Sequence, residues 1–253
     1  YMGKSSLASH IALMNALEGQ RVALFSHEQS AEQCAATLLT ILTGIPAFRI
    51  EAGDVTDDEW LKLTDARFRL SGAQLDIDDT PGMHVSTMRA RARRLNPALV
   101  IVDYLQLLAG GEKGERYSNI VERVSSISRG LKVMAMDLKV PVIALSQLSR
   151  QVEQRDDKRP MMADLRESGS IEQDADKIAL MYREEYYQRM SEPAENVPEH
   201  APERIKWAAD LEACRNQCEI ILPKVRRGRA GKVTVFYEDA ACRFGNLARE
   251  AGS

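Results

Sequence analysis

Just past the start of the chain, Leu7, Ile11 and Met14 fall at helical spacing, Leu13 and Leu17 widen the same apolar face, and Gly19 follows as a stop signal. This predicts a helix springing directly from Gly3-Lys4-Ser5. RVALFS (21–26) is a short apolar run of strand formers, and a helix from about Ala31 to Leu42 closes near Gly44 and Pro46. The alternation continues through a polar helix near 56–70, a strand at QLDID (74–78) and a basic helix at 85–95. ALVIVDYL (98–105) and VPVIALSQ (140–147) are almost continuously apolar, as strands are when helices cover both faces of a parallel sheet. Between them, Ile120, Val124, Ile127 and Leu131 mark a long amphipathic helix over 118–138. KIALMYR (177–183), CEIILPKVR (218–226) and KVTVFYE (232–238) then read as strands without strong helices between them, with a hairpin turn at Gly228 to Gly231.

This order predicts an α/β fold with a mostly parallel twisted sheet, helices on both faces and antiparallel strands at the C-terminal end. Ligands are expected at the carboxyl ends of the parallel strands. Residues 184–217 stand apart. They are polar, hold Pro193, Pro198 and Pro202, and offer a short helical stretch around Trp207 to Leu211. They are expected to form a surface insertion without chemistry of its own, with partner docking as the alternative.

At 253 residues, 44% hydrophobic and 28% charged, the chain can bury a substantial core and is expected to form one large domain over 1–253. No stretch approaches the roughly 18 apolar residues of a membrane span. Cys34, Cys214, Cys218 and Cys242 show no paired metal-ligand spacing and read as reduced thiols of a cytosolic protein. A net charge of −3 excludes a protein that coats nucleic acid with its whole surface, so any such binding must be local. The basic clusters are MRARARRL (88–95) and KVRRGRAGK (224–232); an arginine run on a helix is commonly a solvated face.

Gly3-Lys4-Ser5 is the back half of the phosphate-binding pattern G-x-x-x-x-G-K-[ST]. In that loop backbone N–H groups wrap phosphates, the lysine reaches the outer ones and the hydroxyl holds Mg²⁺. The triplet alone is weak, and the chain is expected to begin inside the motif, with its first glycine and preceding strand upstream. Downstream features strengthen it. LVIVD places Asp103 at the tip of a buried strand, where a nucleotidase needs an acid for Mg²⁺. The next residue is Tyr104, so the base that activates water must come from elsewhere. RVALFS runs into His27-Glu28, which brings Glu28 to the same edge as the best-placed general base. VIALSQ ends in Ser146-Gln147, an amide suited to sensing a γ-phosphate from a third strand tip. In DLRESGSIEQDAD, Ser168-Gly169-Ser170 reads as a helix N-terminus with Arg166 just ahead. On these residues alone, that segment is a well-capped helix beside a surface arginine.

LVIVDYLQLL, VPVIALSQLSRQVEQRDDKRP, DLRESGSIEQDAD and PKVRRG, in this order, resemble the ATPase domain of the DnaB-type hexameric replicative helicases, over Tyr1 to about Phe244. The resemblance implies a RecA-like core in a cytoplasmic, membrane-free homohexamer around single-stranded DNA, with ATP and Mg²⁺ bound between subunits. It assigns Lys4 and Ser5 to the phosphate loop, Glu28 to the catalytic acid, Asp103 to Mg²⁺ and Gln147 to the sensor. Arg226 matches the finger inserted into the neighbour's ATP site, with Lys224 beside it. Arg166, Glu167 and Gly169 match the loop that grips the DNA backbone, and loops 109–117 and 149–160 would also line the channel. The family's N-terminal domain, which recruits primase, and its linker helix lie outside this sequence, and a helicase loader would also act through such regions. Two other readings share the phosphate site: a RecA-like ATPase serving as recombination mediator or switch without unwinding, and a non-hydrolysing nucleotide binder.

Overall fold

The computed structural model describes residues 2–247, apart from the side chains of residues 166–168. Helix α1 (Lys4–Leu17) leads into strand β1 (Val22–Ser26), helices α2 (Ala31–Thr43), α3 (Ala47–Ala52) and α4 (Asp57–Ser71), and strand β2 (Leu75–Asp78). Helix α5 (Val85–Leu95), strand β3 (Leu99–Asp103), helix α6 (Ile120–Leu138) and strand β4 (Val142–Ala144) complete the first half. The second half holds α7 (Gly169–Asp174), β5 (Lys177–Tyr182), α8 (Glu184–Met190), α9 (Pro202–Cys214), β6 (Gln217–Val225), β7 (Gly231–Glu238) and β8 (Arg243–Gly245).

Two sheets result. One is parallel with strand order β2-β1-β3-β4, the other antiparallel with order β5-β6-β7-β8. In the parallel sheet, side chains alternate between two apolar layers, as the strand's period of two dictates. Ala23, Phe25, Val100 and Val102 face Met88 and Ala92 of α5 and Val124, Ile127, Leu131 and Met134 of α6. Val22, Leu24, Leu99 and Ile101 face Ala8, Ala12 and Ala16 of α1 and Cys34 of α2. Both faces are dry, which explains why β1 and β3 are apolar at every position up to their polar last residues. Each large side chain buried here contributes about 1.5–3 kcal/mol.

The alanine face of α1 lets that helix lie close to the parallel sheet. Leu7, near its start, and Met2 pack with Met181, Cys218, Tyr237 and Phe244 of the antiparallel sheet. Helix α1 thus touches both sheets. Arg243 of β8 fastens the far side, donating to the carbonyls of Ile41 (2.7 Å) and Leu42 (3.1 Å) at the end of α2.

The sequence expectations for the strands and the main helices hold, including the turn between β6 and β7. Others differ. The short helix α3 and the short strand β8 were not foreseen, and the apolar run at 140–147 keeps only Val142–Ala144 as an edge strand, partly exposed. Residues 184–217 hold two helices, not one short stretch, so helices do stand between β5 and β6. They are tied by the Trp207 indole N–H to the Gln188 carbonyl at 2.7 Å and by Arg204 to the carbonyls of Pro193, Ala194 and Val197. Held by these bonds to backbone and by the buried Glu185 carboxylate, this insertion lacks the apolar periodicity that would have revealed it. Among the described residues, no helix is long and apolar enough to cross a membrane.

Candidate nucleotide site at the strand tips

Register decides which residues meet. Ser26 of β1 pairs with Asp103 of β3, so β1 and β3 end level with each other, and β4 runs parallel on the other side of β3. The chain leaving β1 is pinned by the His27 N–H donating to the Asp103 carbonyl at 2.7 Å and the Ser26 hydroxyl donating to the Gln29 carbonyl at 2.7 Å. It then enters α2 through a capping box between Ser30 and Gln33. Glu28 is thereby fixed, exposed, in the short connection at the edge of the sheet.

Gly3 is the N-cap of α1, with φ of 85°, in the left-handed region that an L side chain rarely adopts. A Cβ there would stand 3.0 Å from the Tyr237 ring, a contact only glycine avoids. No side chain caps the N–H groups of this helix start and its first turn carries no acid, so donors and dipole are free to face an anion. Tyr237 is a functional neighbour that the sequence reading missed. Its hydroxyl reaches Ser6 Oγ at 3.2 Å and donates to Asp239 at 2.9 Å. Phe244 stacks on its ring, and the Arg183 guanidinium lies 4.7 Å from the ring centre.

Lys4 Nζ donates to the Ser146 carbonyl at 3.0 Å and lies 5.6 Å from the centre of the Tyr104 ring. Burial lowers its pKa, against the opposing pull of Asp103 and Glu28. That pull places both carboxylates in electrostatic range of Lys4. Asp103 is only 5% exposed, and burial raises its pKa, countered by a hydrogen bond from Ser5 and the charge of Lys4. A carboxylate so buried, with a hydroxyl on it, calls for a cation. Ser5 and Asp103, joined by a hydrogen bond, supply oxygen donors of the kind a hard ion such as Mg²⁺ takes.

Gln147, just past β4, is exposed on the same edge as Lys4, which bonds its neighbour Ser146. The structure therefore brings together Gly3, Lys4, Ser5, Glu28, Asp103 and Gln147. It does not bring Lys224 and Arg226 to them. Lys224 donates to the Glu172 carbonyl, and Arg226 binds Asp176 (2.9 Å) and the Gln173 carbonyl (2.9 Å) beside α7. Gly169 begins α7 and is exposed, whereas the side chains of Arg166 and Glu167 lie outside those described. The first basic cluster is largely spent on ion pairs: Arg91 with Asp78, Arg93 with Asp137 and Arg89 with Glu112.

A parallel sheet with helices on both faces, a glycine-started helix at its carboxyl edge and a buried acid one strand away defines a P-loop nucleotide-binding protein of RecA-like architecture. The chain belongs to the DnaB-like helicase C terminal domain family, whose model matches residues 1–246. It is 43% identical over 97% of its length to the replicative DNA helicase DnaB of Rickettsia bellii, covering 52% of that relative. Against the protein of the same name from Geobacillus stearothermophilus it is 43% identical over 98% of its length, covering 51%. Among solved structures, that of a DnaB-like replicative helicase and its interactions with primase superposes with a TM-score of 0.81 at 36% identity, over 98% of this chain and 55% of the other. The chain spans about half the length of the curated relatives it matches.

Proposed function

We propose that this chain is the ATP-hydrolysing motor unit, over residues 1–253, of a homohexameric replicative helicase that translocates 5′→3′ on single-stranded DNA and unwinds the duplex ahead. The observation that carries this reading is the convergence of Lys4, Ser5, Glu28 and Asp103 at one sheet edge, reinforced by Lys4's hydrogen bond to the β4 tip. The α1 N-terminus and Lys4 bind the phosphates of ATP, and Ser5 and Asp103 would hold Mg²⁺, whose charge, when bound, would offset that building on the phosphoryl oxygens. Glu28 orients and deprotonates the attacking water, and Gln147 touches the γ-phosphate and reports its loss to the segment that follows β4.

Arg226, with Lys224 beside it, acts on the ATP of the adjoining subunit. It is carried near the turn between β6 and β7, where its ion pair with Asp176 is half exposed and free to exchange. The segment holding Arg166, Glu167 and Gly169 contacts the DNA backbone, and loops 109–117 and 149–160 line the channel. Primase and a helicase loader would engage the full-length protein through regions this chain does not span. Residues 184–217 form an insertion on the motor's surface. The protein is expected to work in the cytoplasm at the nucleoid or in a phage-infected cell.

Strand displacement on a forked substrate, with and without ATP, tests the proposal in the full-length protein. Displacement that requires hydrolysis is the expected result; ATP hydrolysis without displacement would favour a mediator or switch. The DNA contact has a separate signature. Removing one phosphate contact from a single-strand complex flattens the log–log salt dependence of binding by about 0.7. Arg166→Ala is therefore expected to weaken DNA binding and lower the slope by about that amount, and an unchanged slope removes Arg166 from the interface.

A further inference from the structure

Asp103 and Gln147 leave neighbouring parallel strands, so the chain segments just beyond them run side by side. Their backbones are joined by the Leu105 N–H donating to the Leu145 carbonyl at 3.0 Å. The next residue, Gln106, half-buried in a single 3₁₀ turn (Leu105–Leu107), makes a denser set of contacts. Its Oε1 accepts from the Gln147 N–H at 3.3 Å. Its Nε2 donates to Ser146 Oγ at 2.9 Å and to the Gln147 carbonyl at 3.2 Å. Ser146 Oγ in turn donates to the Gln147 carbonyl at 3.3 Å, closing the set.

We propose that Gln106 is the positioning residue of this site: its side-chain amide clamps the Ser146–Gln147 tip of β4 and so sets where Gln147 and Lys4 meet the phosphates. The argument rests on what one primary amide does here. It carries an acceptor and donors in one plane, and both are used on the backbone of the same two-residue segment. Neither a carboxylate nor an alkyl group of similar size can do both. Lys4 is tied to that segment too, because its Nζ is bonded to the Ser146 carbonyl. Fixing residues 146 and 147 therefore fixes the resting point of the lysine as well as the sensor. On its other side, the Gln106 backbone carbonyl accepts from Arg123 Nη2 at 3.3 Å. Arg123 lies in the first turn of α6, directly after the loop proposed to line the DNA channel. The clamp thus stands between the phosphate site and one DNA-facing segment, which gives it a role in coupling the two.

This inference rests on the reading of the site as one that hydrolyses ATP. The test uses full-length wild type, Gln106→Leu and Gln106→Glu. Gln106→Leu removes both halves of the clamp, and Gln106→Glu keeps the acceptor while removing the donors. Hydrogen exchange without nucleotide reads the clamp itself: loss of a bond of ordinary net strength should speed exchange at the Gln147 amide on the order of fivefold in Gln106→Leu, with less change in Gln106→Glu. Steady-state kinetics read the consequence: kcat should fall about 10- to 100-fold in Gln106→Leu, with stimulation by single-stranded DNA reduced and KM for ATP little changed. A merely structural glutamine would lower Tm while leaving kcat per folded ring and DNA stimulation as in wild type. Unchanged exchange at Gln147, or faster exchange with unaltered kcat and DNA stimulation, overturns the proposal. A wild-type protein that binds but does not hydrolyse ATP sinks the reading of the site itself, and the role of Gln106 in hydrolysis with it.

Discussion

Replacing Lys4 by alanine is expected to abolish ATP hydrolysis while leaving the fold intact. The lysine is the first residue of α1, where alanine is a better helix former, and the fold loses only the bond to the Ser146 carbonyl and the contact with the Tyr104 ring. Its catalytic loss is of a different order. A cation that meets the outer phosphates in a half-buried site acts on charge that grows as the bond breaks, and removing one such preorganised group costs about 10²–10³ in rate. In the proposed site Lys4 would also anchor ground-state binding, so the combined effect on kcat/KM should exceed about 10³. The charge balance of the site gives a second readout. Burial lowers the lysine's pKa while Asp103 and Glu28 support the ammonium. Neutralising either acid, as in Asp103→Asn, should lower it further and move the alkaline limb of nucleotide binding toward neutral pH. The measurement is ATPase activity with and without single-stranded DNA, beside thermal melting. A Lys4→Ala protein that melts as wild type and still hydrolyses ATP would exclude the assignment.

How much of this was legible in the chain follows from which physical signals survive without an alignment. Runs such as RVALFS and LVIVD declare buried strands because both faces of the sheet are covered, and counting to the polar residue that ends each run brings Glu28 and Asp103 to one edge. The spacing of Val124, Ile127 and Leu131 gives α6 for the same reason. Residues whose partners are distant in sequence leave no such trace. Gln106 bonds to residues 146 and 147, and Tyr237 bonds to Ser6 and packs on Gly3; nothing local marks either one. Helix α8 was hidden, and α9 showed only around Trp207 to Leu211, because bonds to backbone carbonyls and the buried Glu185 carboxylate, and not an apolar stripe, hold them. Arg226 is a third kind of case: the role proposed for it came from resemblance, since among the described residues its side chain binds groups beside α7.

That placement sets up the second large effect. If Arg226 serves the neighbouring subunit, Arg226→Ala should lower kcat by about 10³–10⁵ with ATP affinity nearly preserved, the range that arginine fingers contribute in phosphoryl transfer. By transition-state arithmetic this is about 4–7 kcal/mol. The competing interaction in the free protomer is far weaker. The Arg226–Asp176 pair is half exposed on both sides and accordingly contributes about 0–1 kcal/mol after screening by solvent. Release from Asp176 is therefore a small tax on a large gain, and Asp176→Asn should leave the maximal rate close to that of wild type. Loss of rate in Arg226→Ala does not by itself prove action across an interface, but mixing does. Lys4→Ala rings keep their fingers and lack competent phosphate sites; Arg226→Ala rings have the reverse defect. Subunits of the two kinds, exchanged into common rings, should recover part of the hydrolysis that neither shows alone, because an intact phosphate loop then meets an intact arginine from next door. Recovery that stays at the sum of the two parents would place Arg226 outside the neighbour's site and leave its bonds to Asp176 and the Gln173 carbonyl as its role.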